Sequence, residues 1–202
     1  MSPINLSRIQ EWIDAGRLDP SLPITLKELT STRAIHGIKD GVKLLARGAT
    51  ALTTPINIVV SRASQSAIAA VEALGGTVTT RFYTPLAIRR IRNSEMHPYV
   101  SMRWDQAALN KPVLAIEGAD SPEEKVKGLG FEYRLPDPSG RKEIEYYRDI
   151  RNRGYLAHTV KEGEGASLYF KLPLTPEELK RRQQKGAKKG NDAKKKEENR
   201  LW

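Results

Sequence analysis

Three guanidiniums fall within four residues at Arg89-Arg90-Ile91-Arg92. The planar fork of arginine matches phosphate oxygens two at a time, and a cluster this dense repels itself unless an anion relieves it. Phosphate binding is one reading of the segment, and a solvated helix face is the other. In Gly37-Ile-Lys39-Asp-Gly41-Val-Lys43 glycine alternates with lysine, and Arg47 follows. Glycines let backbone amides approach an anion that lysines neutralise, although a hairpin turn with solvated lysines has the same composition. The segment lacks the Gly-Lys-Ser/Thr ending of a nucleotide P-loop, which argues against ATP or GTP. Ser61-Arg62-Ala63-Ser64 stands where a strand hands over to a helix. Free amides and the helix dipole favour an anion there, and plain N-capping by Ser64 competes with that reading. Tyr146-Tyr147-Arg148, with Arg151, Arg153 and Tyr155, mixes aromatics and cations as single-stranded RNA contacts do. Packing of the same tyrosines against a neighbouring protein stays open.

Other chemistries lack their residues. The chain has no cysteine, which removes disulfides, cysteine-held zinc and thiol catalysis. His36, His97 and His158 are scattered and form no HExxH motif. Paired catalytic carboxylates, a Gly-x-Ser-x-Gly elbow and a Gly-x-Gly-x-x-Gly fingerprint are all missing. Asp40 near His36 reads as a turn former. No catalytic residue, cofactor, metal site or small-molecule substrate is expected. No window approaches eighteen apolar residues, so no membrane span is expected either. Residues 1–14 contain Glu11 and Asp14 and resemble neither a secretory signal nor an acid-free transit peptide.

The elements that must position these cations are punctuated clearly. Ser7-Arg-Ile-Gln10 and Thr25-Leu-Lys-Glu28 fit the capping box, so each is expected to start a helix, and Gly16 supplies a left-handed stop to the first. A short strand is predicted over Val42–Leu45 and another over Ile56–Val60. Ser64 is predicted to cap a helix carrying Ala67, Ile68, Val71 and Leu74, closed by Gly75-Gly76. Thr77–Tyr83 then alternates as a further strand. Strand, helix, strand is a βαβ-like unit, parallel if its strands share a sheet. Residues 1–80 hold 8 Lys+Arg and 6 Asp+Glu, against 34 and 24 in the whole chain, whose net charge is +10. The cationic surplus therefore lies mostly beyond residue 80, and it attracts polyanions independently of sequence. Apolar periodicity weakens there and prolines recur. We expect a globular core over 1–84, an extension over 85–174 that wraps a partner, and a helix with a Lys-rich tail over 175–202. Short strand-like pieces fall at Val113–Ile116, Phe131–Leu135 and Ser167–Leu172, and Thr175 can cap a helix over Pro176–Lys185.

Together, Asn5-Leu6, Asp14-Ala-Gly-Arg17, Ile24-Thr25, Lys39-Asp-Gly-Val-Lys43, Ile56–Val60, Ser64-x-x-Ala67 and Glu72-Ala-Leu-Gly-Gly76 resemble the globular part of large-subunit ribosomal protein fifteen across about residues 4–83. Ile9-Gln-Glu-Trp-Ile-Asp-Ala-Gly-Arg-Leu-Asp-Pro20 is particularly similar to fungal mitochondrial members. The resemblance implies a small irregular β-β-α domain of the α/β class with a long basic extension. It implies large-subunit rRNA and neighbouring large-subunit ribosomal proteins as partners, the mitochondrial matrix as the compartment, and no catalysis. By position, Lys39, Lys43, Arg47 and Arg62 inherit an rRNA role. The remaining candidate RNA contacts, Ser64, Arg89, Arg90, Arg92, Arg148, Arg151 and Arg153, come from residue type and local spacing and not from the resemblance. Family members carry a glycine- and arginine-rich arm before this domain, so residues preceding Met1 are expected in the natural protein. An RNA-binding or ribosome-assembly factor on the same domain is the alternative.

Overall fold

A computed structural model describes residues 1–98, 101, 131, 133–161 and 164–169. The predicted strand Val113–Ile116, the predicted helix Pro176–Lys185 and the lysine-rich tail lie outside the described residues. The chain opens with strand β1 (Ser2–Asn5), helix α1 (Leu6–Asp14), helix α2 (Leu26–Ser31) and strand β2 (Val42–Leu45). Strands β3 (Asn57–Val60) and β4 (Arg62–Ala63), helix α3 (Gln65–Ala73), strand β5 (Thr77–Thr80) and helix α4 (Pro85–Arg92) follow. Among the described residues helix α5 (Arg141–Arg148) and two short 3-10 turns, Ile150–Asn152 and Ala157–Thr159, come after them.

The two capping boxes part company. Thr25 caps α2 by accepting from the Lys27 amide, while the Glu28 carboxylate accepts from the Thr25 amide at 2.9 Å. Ser7, however, lies inside α1, whose cap position is Asn5. Its amide donates to the Arg47 carbonyl at 3.2 Å. A donor already satisfied by a neighbouring loop leaves the box nothing to do. Gln10 is instead drawn inward, donating to Asp14 at 2.7 Å and accepting from the Thr53 and Thr54 amides.

Two parallel sheets result. One has the order β1-β2-β4, with β1 at an edge, where Pro3 is tolerated. The other pairs β3 with β5, joining Asn57 to Thr77 through Val60 to Thr80. The predicted βαβ unit is therefore present, with strands starting at Asn57 rather than Ile56 and ending at Thr80 rather than Tyr83. Beyond Thr80 the chain turns into α4, capped by Thr84 with Pro85 in the first turn. Gly76 is required where it stands, because a Cβ there would run into the Ile56 backbone.

The core gathers Leu6 and Ile9 of α1, Leu26 and Leu29 of α2, Val42 and Leu44 of β2, Ile58 and Val60 of β3, and Ala67, Ile68 and Val71 of α3. It does not stop at residue 84. Ala87, Ile88 and Ile91 bury one face of α4 in the same cluster, and Met96 and Leu135 join it. Gly154 forms a parallel bridge to Thr80, whose amide donates to the Arg153 carbonyl at 2.9 Å. The described residues up to Lys161 form one compact unit. The packed edge thus lies well past 84: α4 belongs to the core, and 133–161 belong to the same compact unit, where Tyr147, Tyr155 and Leu156 gather a second small buried cluster. The physical reason is a sparse set of large side chains. Tyr147, Tyr155 and Leu156 are buried despite the weak periodicity around them.

Candidate nucleic-acid interface

Lys43 and Arg62 are Cα partners in the β2–β4 pair, and Pro3 is the partner of Lys43 on β1. Residues opposite one another in a ladder project from the same face. Along β2, Val42 and Leu44 point into the core while Lys43 is exposed. The outer face of this sheet therefore carries two adjacent cations that sequence places 19 residues apart. Lys39 and Arg47 are exposed in the loops on either side of β2.

The backbone bearing Arg62 is fixed from several directions. The Ser61 amide donates to the Val42 carbonyl at 3.1 Å, and the Ser61 hydroxyl accepts from the Val42 amide at 3.0 Å. Gly41, at φ +105°, lies so close that a Cβ would collide with Ser61 Oγ. From the far segment, the Tyr147 hydroxyl donates to the Ser61 carbonyl at 3.0 Å. The Arg62 guanidinium lies 4.7 Å from the centroid of the Tyr146 ring. Burial pushes the Tyr146 phenol up, opposed by the Ala63 backbone and the Arg62 charge. Ser64 is occupied as the α3 cap, accepting from the Ala67 amide at 3.3 Å.

The arginines of α4 divide. Arg89 and Arg92 are exposed, whereas Arg90 lies 3.6 Å from the centroid of the Tyr133 ring. All three sit in the last turn, where cations also offset the helix dipole. The C-terminal trio divides as well. Arg151 is exposed, and Arg148 is half-buried with its Nε unpartnered. Arg153 is engaged by Glu72 through a two-pronged ion pair, Nε to Oε1 at 2.5 Å and Nη2 to Oε2 at 2.8 Å. That contact holds the Glu72 carboxyl below its usual value. Tyr147 and Tyr155 are core residues, so packing within the chain answers the choice left open for them.

Two arrangements escape a reading of the sequence. Arg81 is fully buried, with its guanidinium 4.2 Å from the Tyr155 ring centroid. Burial pulls its pKa down, and Tyr155, Tyr83 and Asp137 oppose that shift. Tyr155 itself donates to Asp137 Oδ1 at 2.5 Å. The predicted alternation over Thr77–Tyr83 gives position 81 no reason to face inward; it does so because the strand ends at Thr80. Trp12 is the other case. Arg8 stacks on its ring at 3.4 Å, and its indole N–H donates to the Thr32 carbonyl at 2.9 Å. Among the described residues, no group of three or more His, Asp or Glu could hold a metal ion.

A family model for ribosomal proteins 50S-L15, 50S-L18e and their 60S counterpart matches residues 3–79. The chain is 46% identical over 185 residues to the large ribosomal subunit protein uL15m of Neurospora crassa, covering 89% of this chain and 55% of that protein. With the uL15m of Schizosaccharomyces pombe it shares 36% over 155 residues, or 77% of this chain and 48% of the relative. A bacterial uL15 from Methylobacterium is 43% identical over 79 residues, 39% of this chain and 48% of its own length. The chain spans about half the length of the curated relatives it matches.

Proposed function

Because the chain belongs to the family of large-subunit ribosomal protein fifteen, as a member similar to the mitochondrial proteins, we propose that it is a structural constituent of the mitochondrial large ribosomal subunit. In this reading it binds and stabilises large-subunit rRNA, touches neighbouring ribosomal proteins, resides in the matrix and catalyses nothing. The observation that carries the RNA contact is the outer face of the three-stranded sheet, where Lys43 and Arg62 stand side by side. The rigid ladder fixes the spacing of the two backbone positions, so a phosphate backbone meets two adjacent cations whose side chains alone have still to be ordered. Lys39, Arg47, Arg89, Arg92 and Arg151 add exposed charge, Arg90 and Arg148 contribute from half-buried positions, and Ser64 acts through the end of α3. Arg153 has its charge met by Glu72 and serves the fold. Residues 85–174 outside the packed unit, and 175–202, are assigned to wrapping rRNA and neighbouring proteins.

Sedimentation of mitochondrial ribosomes through high salt tests this reading. The protein is expected to remain with the large subunit. Its release from mature particles, with retention on immature ones, would replace the reading with that of an assembly factor.

A further inference from the structure

We propose that Tyr146 is a positioning residue for Arg62, so that a helix outside the family-matched residues tunes how the sheet presents its cation to RNA. This rests on the reading that Arg62 contacts rRNA, and it names what holds that side chain in place. Tyr146 lies 84 residues from Arg62 in sequence, on α5. Its ring sits 4.7 Å from the guanidinium, and it meets the Tyr147 ring edge-on with centroids 5.1 Å apart. Tyr147 is buried and tethered to the Ser61 carbonyl, one residue before Arg62. The pair thus fixes the main chain with one hydroxyl and the side chain with one ring face. An arginine has four rotatable bonds, and its fork gains from phosphate only if it points there beforehand. A ring face restricts that freedom while leaving the charge intact, which a carboxylate partner would cancel. Arg153 supplies the contrast within the same segment, since Glu72 neutralises it.

The test uses the full chain and an in vitro transcript of a mitochondrial large-subunit rRNA, with affinity measured at four salt concentrations. Tyr146→Leu is expected to weaken binding about two- to fivefold, the range of an exposed cation–π contact. The log–log salt slope is expected to stay unchanged, because no charge is lost. Tyr146→Phe, which keeps the ring, is expected to restore wild-type affinity, an outcome that a hydroxyl-mediated RNA contact would not give. Arg62→Ala is expected to weaken binding and to flatten the slope by about 0.7–0.9. In the Arg62→Ala background, Tyr146→Leu is expected to do nothing further. A persisting loss in that background would overturn the proposal by making Tyr146 a contact in its own right, while leaving Arg62 on the RNA. A silent Arg62→Ala would overturn the Arg62 contact itself, and the positioning role with it.

Discussion

The three-stranded sheet keeps one face open and lines it with cations, whereas the two-stranded sheet is enclosed. Ile58, Val59 and Val60 of β3 are all buried, and residue 154 extends the far side of β5. The arginine associated with each sheet follows suit. Arg62 stands half-exposed beside Lys43, while Arg81, one residue past β5, is wrapped by Tyr155 and its neighbours. The same side chain thus has two fates, decided by what covers the sheet. A cation stays available to a polyanion where the later segment covers it on one side only, as Tyr146 does Arg62, and it becomes a core group where that segment encloses it fully, as at Arg81.

The enclosed side is expected to give the larger responses. His97 is held at about 4 by burial, with the Arg81 and Lys27 charges adding to the effect. The unfolded chain takes up that proton near pH 6.5, so between the two values the unfolded state binds more protons than the folded one. This contribution is complete above pH 6.5 and is lost as pH falls toward 4, an order of 3 kcal/mol across the whole titration. Urea melts from pH 7 to 4 are expected to show that decline, and His97→Gln is expected to flatten it.

Gly154→Ala probes how the far segment closes. A Cβ at Gly154 would strike the Tyr147 backbone, which cannot swing aside as a flexible side chain can. Overpacking of this kind costs about 1–3 kcal/mol. Hydrogen exchange is expected to show residues 141–156 losing protection before β2 does. Equal loss in both places would mean that the two sheets unfold as one and do not differ in the way described.

On the open side the effect on stability is expected to be the smallest. Lys43→Ala removes an exposed cation, so thermal melts are expected to shift by less than about 0.5 kcal/mol. The salt slope for rRNA binding is expected to fall by about 0.7–0.9. A large drop in melting temperature would mark Lys43 as structural and would erase the contrast with Arg81.

Local signals in the sequence carried much of this architecture. The Thr25 box, the Ser64 cap, the left-handed Gly16 and the strand–helix–strand pattern all act within a few residues, where side chain and backbone settle the matter between them. The Ser7 box has the same residues as a true box, and it fails because the Arg47 carbonyl reaches the amide first. For the site, the cation types were readable and their pairing was not. Lys43 meets Arg62 only through strand register, and Arg153 meets Glu72 across 81 residues. Residues 85–92 looked like a basic cluster because three arginines mask a stripe of just Ala87, Ile88 and Ile91. A short stripe that completes an existing core needs no long periodicity of its own.

Among the described residues every strand pairing is parallel, and that has a consequence in time. Parallel partners cannot be joined by a tight turn, so each ladder waits for a distant stretch of chain. On a translating ribosome Ser2 emerges forty residues before its partner Val42, and Thr80 long before Gly154. The edge strand β1 must therefore stay unpaired while β2 is being made. Arg62 stays without its ring partner until Tyr146 arrives and Arg81 stays hydrated until Tyr155 follows, so one late segment completes the cationic face and seals the enclosed one.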